Sequence, residues 1–233
     1  MQRSRSSEVA PASASRDPIV QFARERLSTA VLSDTLDAMG LIHQIMERSI
    51  RPLDERLVLC GRARTGNFRD VYHFQQDDDV YEPLAELVAD LHPDDVAVLA
   101  CGRSGRIAPW GSLLSLAAQL RGAGGCITDG LMRDVGQIRE LGFPAFSAGY
   151  GAIETRGRAA LIAAEVPVHC GGVWVSPGDL LYGDADGVVV VPRDVEAEVV
   201  RVACEKAAVE REIVDALRSG APIVDVFRRF GSL

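Results

Sequence analysis

The sequence predicts a layered α/β fold with a second sheet packed on its core, and three observations predict it. Amphipathic helical runs open the chain. Apolar strand-like runs alternate with helices through the middle. A β-rich stretch full of turn dipeptides then precedes one long closing helix. The 233 residues suit one domain, expected over residues 18–233 and ending in a C-terminal helix and a short tail. Residues 1–17, "MQRSRSSEVAPASASRD", read as a disordered leader. They hold no apolar run of the secretory kind, although their Ser, Ala and Arg content also suits a transit peptide.

The elements follow in order. "PIVQFARERL" and "STAVLSDTLDAMG" read as consecutive helices, the second capped by Ser28 or Thr29 and stopped by Gly40. "RLVLCGRARTG", residues 56–66, is strand-like. "DDDVYEPLAELVADL" opens with three acids, which favour a helix start through the backbone dipole, and puts Val80, Leu84, Leu87, Val88 and Leu91 on one face. "DDVAVLACG" is a strand, "WGSLLSLAAQLRG" a helix starting near Gly111, and "GCIT" a strand. "DVGQIRELG" is a short helix stopped by Gly142 and Pro144. From "AFSAGYGA" onward the pattern turns to strands, with "SPGD" and "DADG" as turns in "VPVHCGG" and "VWVSPGDLLYGDADGVVVVP". "RDVEAEVVRVACEKAAVEREIVDALRSG" is the long helix. The tail "APIVDVFRRFG" can pack on its own subunit or on a neighbour.

Composition excludes several functions. Hydrophobic residues make up 47% and charged ones 25%, the balance of a globular core; only 6% are aromatic. A net charge of −8 with no Lys/Arg run weighs against a nucleic-acid partner, because phosphate binding needs a basic field. No apolar span reaches the length of a membrane helix, so no membrane role is expected. The five cysteines are odd in number and scattered, with no C-x-x-C pair, so they read as reduced thiols of a cytoplasmic protein.

Candidate chemistry centres on two blocks, Gly111-Ser112-Leu113-Leu114 and Arg133-Asp134. A helix starting at Gly111 leaves the amides of these four residues without intrahelical acceptors, which makes an anion site that glycine lets a ligand approach. Arg133 offers a planar fork for the same carboxylate. Asp134 offers oxygen to a hard divalent cation such as Mg²⁺ or Mn²⁺. Such a set would bind a small 2-oxo acid, carboxylate on amides and arginine, keto oxygen on the metal. The alternative is structural: Asp134 as a helix N-cap and Arg133 as a surface residue.

"WGSLLSLAAQLRGAGGCITDGLMRDVGQIRELGFPAFSAG" and "VPVHCGGVWVSPGDLLYGDADGVVVVP", with "LSDTLDAMG" and "LCGRARTG", resemble the family that joins 4-hydroxy-4-methyl-2-oxoglutarate aldolases to the regulator of ribonuclease activity A. The resemblance implies a three-layer β/β/α sandwich, assembled as a homotrimer or homohexamer with sites at subunit clefts. It implies that Arg133 binds the pyruvate carboxylate, that Asp134 binds Mg²⁺ or Mn²⁺, and that the amides of Gly111, Ser112, Leu113 and Leu114 meet the substrate. The activity so implied is metal-dependent carbon–carbon lysis of a short 2-oxo (di)carboxylic acid through a pyruvate enolate, by retro-aldol cleavage of 4-hydroxy-2-oxo dicarboxylates or by decarboxylation of oxaloacetate. The alternative is the non-catalytic branch that binds a ribonuclease, which typically lacks the aspartate after the arginine. One position departs from the aldolase pattern. The acid expected twenty residues before Arg-Asp is Ser112, a hydroxyl that cannot serve as a carboxylate base, and decarboxylation tolerates that loss better than aldol cleavage.

Other candidates are weaker. Asp184 and Asp186 read as a turn rather than a calcium loop, whose later ligand positions are here Val188 and Val190. His169 and Cys170 are strand neighbours facing opposite ways. Asp129-Gly130 reads as a turn or as a support that orients Arg133. Arg103 and Arg106 are candidates to line the cleft and meet a second carboxylate.

Overall fold

The computed structural model describes residues 17–72 and 81–231. The expected leader, apart from Asp17, lies outside them, as do residues 77–79 and Val80 of the third expected helix. The chain opens with α1 (Pro18–Arg26) and α2 (Thr29–Ala38). Asp17 caps α1 by accepting the amides of Ile19 at 2.9 Å and Val20 at 3.3 Å, and Ser28 caps α2 through the Val31 amide. Gly40, at φ +82°, closes α2 in a Schellman motif: its amide reaches Asp37 O and that of Leu41 reaches Leu36 O.

After β1 (Arg51–Pro52), the middle of the chain repeats one unit: β2 (Leu59–Asp70), α3 (Glu82–Ala89), β3 (Asp95–Ala100), α4 (Ser112–Leu120), β4 (Gly125–Met132), α5 (Val135–Leu141) and β5 (Ala145–Tyr150). Strands β2 to β5 are parallel neighbours. Next come β6 (Ala159–Ala164), β7 (Val168–Cys170), β8 (Val173–Val175), β9 (Leu180–Asp184) and β10 (Gly187–Val191), then α6 (Glu196–Arg218) and α7 (Ile223–Phe230). The main sheet runs β1-β5-β4-β3-β2-β9-β10, with β6 also paired to β2, while β7 and β8 form a separate pair. The sheet curls until it is nearly closed. An isolated bridge joins Ile45 to Val189 of β10, and Arg51 of β1 donates to the carbonyls of Ala185 and Asp186 beside that strand.

Side-chain alternation builds the layers. On β3, Ala97 and Leu99 face the helical layer, where Leu84 and Leu87 of α3, Ala118 of α4 and Ile138 of α5 pack. Val96, Val98 and Ala100 face the other way, onto Val168, Cys170, Val173 and Val175 of the β7–β8 pair. The β/β/α layering is therefore present, with the larger sheet bent almost into a barrel. A third cluster seats α1, α2 and α6 on β9 and β10 through Leu32, Leu36, Val199, Ala203, Val189 and Val191. Each such buried leucine or valine side chain contributes about 1.5–3 kcal/mol.

Several expectations change. Asp129-Gly130 is no turn: both residues lie inside β4, where the register with β5 shifts between Thr128 and Leu131. The buried Asp129 carboxylate accepts the amides of Cys101 and Arg103, so it tethers the Gly-rich loop after β3 rather than Arg133. Strand β2 runs four residues past Gly66 because β6, itself not singled out in the sequence, pairs with its far end. The tail forms α7, which buries Val226 against its own α6 and leaves Ile223, Val224 and Phe227 exposed. Asp184 accepts both the amide and the hydroxyl of Thr29 at the start of α2, a structural role. The fold keeps His169 exposed and Cys170 buried, as their alternation requires.

Candidate active site

Ligands in open parallel sheets sit beyond the carboxyl ends of the strands. Here the ends of β2, β3 and β4 deliver Phe68, the Ala108–Pro109–Gly111 loop and Arg133–Asp134 to one cleft of about 290 Å³. Trp110 sets the geometry. Fully buried, it bridges in parallel to Met132, and its carbonyl accepts the Arg133 amide at 3.1 Å. Its indole donates to Ser115 Oγ at 2.8 Å, and that hydroxyl donates to Gly111 O at 3.0 Å. The loop and the end of β4 are thus pinned side by side.

Gly111 is the N-cap position of α4, and no side chain caps the helix. Its φ of −155° is ordinary extended backbone, so glycine is needed for space. A β-carbon there would fall 2.7 Å from Asp134 Oδ2 and 3.2 Å from Arg133 Cγ. The Ser112 amide and hydroxyl each donate to Asp134 Oδ2 at 3.2 Å. The amides of Leu113 and Leu114 belong to the same first turn and have no intrahelical acceptor.

Asp134 occupies the N-cap position of α5 but does not cap it. It sits at φ 58°, ψ 33°, in the left-handed region, with no hydrogen bond to the helix amides from its side chain. A non-glycine residue held there costs of order 1–3 kcal/mol, and such strain concentrates at functional sites. The backbone bend turns the carboxylate back toward Gly111 and Ser112. Arg133 Nε and Asp134 Oδ2 stand 4.0 Å apart, too far for a hydrogen bond, and their side chains remain 42% and 38% exposed. Both are therefore available to a ligand.

The six residues of the two candidate blocks meet at this place. Gly111, Leu113, Leu114, Arg133 and Asp134 line the cleft, and Ser112 adjoins it through its bonds to Asp134. The expectation for Arg103 and Arg106 does not hold. Arg103 pairs with Glu47, while Arg106 pairs with Asp70 at 3.2 Å and stacks over the Tyr72 ring at 4.3 Å; neither lines the cleft. Conversely, Phe68, Tyr81, Leu84, Ala85 and Thr155 form its remaining walls, and sequence reasoning missed them in this role. Four of them lie on or just before the elements β2 and α3, far from either motif, and carried only the signal of core residues or a helix start. The Tyr81 hydroxyl bonds to Glu154; burial and then that carboxylate push its ionisation up.

No group of three or more His, Cys, Asp or Glu is placed to hold a metal ion among the described residues. The donor set that the cleft offers is one carboxylate beside one hydroxyl, and Asp134 Oδ1 takes no hydrogen bond among the described residues. An oxygen-only set completed by water and ligand suits Mg²⁺ or Mn²⁺, which are commonly held by one or two carboxylates.

Comparisons with known proteins converge. The profile of the RraA-like family, described as Aldolase/RraA, matches residues 29–190. A protein of Halalkalibacterium halodurans named "Putative 4-hydroxy-4-methyl-2-oxoglutarate aldolase" is 35% identical over 82% of this chain and 84% of its own length. Among solved structures, an "uncharacterized protein" from Pseudomonas syringae pv. tomato superposes with a TM-score of 0.78 at 26% identity, covering 92% of this chain and 98% of that one. Streptomyces coelicolor RraAS2, described as an unusual member of the RNase ES inhibitor RraA protein family, gives 0.74 at 28% identity over 85% and 97%.

Proposed function

The chain belongs to the RraA-like (Aldolase/RraA) family, and from that premise we propose that it is a divalent-metal-dependent lyase that breaks a carbon–carbon bond in a short 2-oxo acid. One observation carries the reading: the Arg133 guanidinium, the first-turn amides of α4 and the Asp134 carboxylate border a single cleft. Arg133 and the amides of Leu113 and Leu114 bind the substrate carboxylate and fix the keto carbon beside Asp134. Asp134 would hold a Mg²⁺ or Mn²⁺ ion, which would supply Lewis-acid stabilisation of negative charge developing on the substrate. Gly111 keeps the space open, and Ser112 orients Asp134 through Oδ2.

With Ser112 where the aldolase pattern expects an acid, the chain offers no carboxylate base at that point. Decarboxylation is therefore the easier reaction: the bond to the departing CO₂ breaks, its electron pair passes to C3, and water protonates the resulting enolate to give pyruvate. Retro-aldol cleavage follows the same course after water accepts the proton of the C4 hydroxyl, and the C4 fragment leaves as a carbonyl compound. The working assembly is a homotrimer or a pair of trimers. The exposed stripe Leu113, Leu116 and Leu120, spaced i, i+3, i+7 along α4 and starting at the cleft, supports an interface there.

The test is pyruvate release from oxaloacetate in Mg²⁺ or Mn²⁺, with and without chelator. Turnover should vanish with chelator, Asp134→Ala should abolish its metal dependence, and Arg133→Ala should lower kcat/KM at least about 30-fold. Absence of metal-dependent turnover of any 2-oxo acid, with co-purification of an RNA-processing enzyme, would instead identify a ribonuclease-binding protein.

A further inference from the structure

Between β5 and β6 the chain passes across the carboxyl ends of the parallel strands, over residues 151–158. The Gly151 amide donates to Met132 O of β4 at 3.0 Å, and the Ile153 carbonyl accepts the Ala108 amide, beyond β3, at 3.2 Å. The Glu154 carboxylate then accepts the Tyr81 hydroxyl ahead of α3. Thr155 follows. Its carbonyl accepts the amides of Arg158 at 2.9 Å and Ala159 at 3.0 Å, where β6 begins beside β2. Arg133 and Asp134 border the cleft from the end of β4, and Thr155 lines it from the β2–β6 side. Thr155 is 6% exposed, yet its hydroxyl makes no hydrogen bond among the described residues. The sealed polar side-chain atoms without a partner are Gln44 Oε1, Arg64 Nε and Arg156 Nε. Thr155 Oγ1 is not one of these, so it opens into the cleft that the residue lines. Buried hydroxyls nearly always have a partner, and this one has been left for a ligand. The surroundings suit an anion: Arg156 sets a guanidinium over the Tyr81 ring at 5.2 Å, and the nearby Glu154 is engaged by the Tyr81 hydroxyl.

We propose that the Thr155 hydroxyl donates to the far carboxylate of a 2-oxo dicarboxylate, the group that departs as CO₂ when the substrate is oxaloacetate. The inference rests on the lyase reading above and adds a substrate-positioning residue to it. Arg133 and the α4 amides hold the carboxylate next to the keto group, and Thr155 holds the opposite end. A neutral hydroxyl can steady that end by a charge-assisted hydrogen bond. The bond weakens as uncharged CO₂ forms, so it serves binding and orientation rather than the transition state.

The test pairs two ligands with two variants. 2-Oxoglutarate and 2-oxopentanoate differ only in the far end, a carboxylate in one and a methyl group in the other. Their Kd values would be measured by calorimetry on the full chain in Mg²⁺ at neutral pH. Thr155→Val keeps the side-chain shape and removes the hydroxyl; Thr155→Ser keeps the hydroxyl. Thr155→Val should bind 2-oxoglutarate about 10-fold more weakly, the scale of a hydrogen bond to a charged group, and 2-oxopentanoate as the wild type does. Thr155→Ser should restore most of the loss. In oxaloacetate turnover, Thr155→Val should raise KM by about the same factor without lowering kcat. An equal loss for both ligands, or none for either, would overturn the inference and leave the lyase reading standing. So would a lowered kcat at unchanged KM. Thr155→Val should also sediment as the wild type does; a smaller species would assign the hydroxyl to a subunit contact and overturn the inference. If the wild type binds neither acid, both readings fall.

Discussion

At Gly111 the absence of one atom decides the site. A methyl group there would be driven to 2.7 Å from a carboxylate oxygen, in a backbone conformation that any residue could otherwise adopt. Ser112, next along, holds the same oxygen at 3.2 Å from its hydroxyl. Replacing that hydroxyl by a carboxylate sets two negative charges together, an arrangement that repels unless a cation shares them. Ser112→Asp should thus bind Mg²⁺ at least about 10-fold more tightly by calorimetry, since hard cations gain from each added carboxylate. On the proposed lyase reading it should also gain aldol cleavage relative to decarboxylation, because a carboxylate base then stands beside Asp134. An unchanged Mg²⁺ affinity would show that residue 112 does not reach the ion. These polar residues were legible because each has a distinctive chemistry in a short block: a glycine at a helix start, a cation and an anion after a strand. Leu84, Ala85 and Phe68 were not, since an apolar side chain facing a cleft has the same pattern in sequence as one facing a core. Arg103 and Arg106 misled for the opposite reason: their charge was visible, but their partners Glu47 and Asp70 lie 56 and 36 residues away.

Among the elements, helix α1 is fastened at its N-cap. Asp17 caps it and also pairs with Arg62 of β2 at 2.7 Å, and Arg62 in turn meets Glu196 at the start of α6. Burial works against ionising Asp17, but the hydrogen bond and charge of Arg62 outweigh it and hold the carboxyl below its ordinary 3.8. The stabilisation is complete above that ordinary value and fades as pH falls through the lowered folded value. Asp17→Ala should therefore cost about 1 kcal/mol in denaturant unfolding at pH 7, the usual loss for a helix cap. The gap between the two proteins should narrow below about pH 4. A pH-independent gap would assign the effect to lost packing instead. Helices of this kind announced themselves through caps, the Gly40 and Gly142 stops, and apolar spacing. Strand β4 did not show its full length, because Asp-Gly is ordinarily turn chemistry. Only the remote amides of Cys101 and Arg103, which satisfy the Asp129 carboxylate, make it tolerable inside a sheet. Strand β6 and the two-residue β1 depend likewise on partners distant in sequence.

For the molecule as a whole, the layer order followed from the alternation of strands and helices, and the near-closure of the sheet did not. Closure depends on Arg51 reaching the carbonyls of Ala185 and Asp186, more than 130 residues away, and no local pattern encodes such a meeting. Assembly is a separate question at this scale. Leu116 and Leu120 are 40% and 60% exposed, so charging them should spare the fold while opposing association. If the proposed trimer forms through α4, the double substitution Leu116→Glu, Leu120→Glu should move the sedimenting species toward monomer with an unchanged circular dichroism spectrum. A trimer that survives it would locate the interface elsewhere, for instance on the exposed Ile223, Val224 and Phe227 of α7. A strand ladder whose two ends almost touch also has little open edge to offer a second chain. Polymerisation by edge-to-edge pairing, the habitual hazard of β-rich proteins, is thereby denied most of its template.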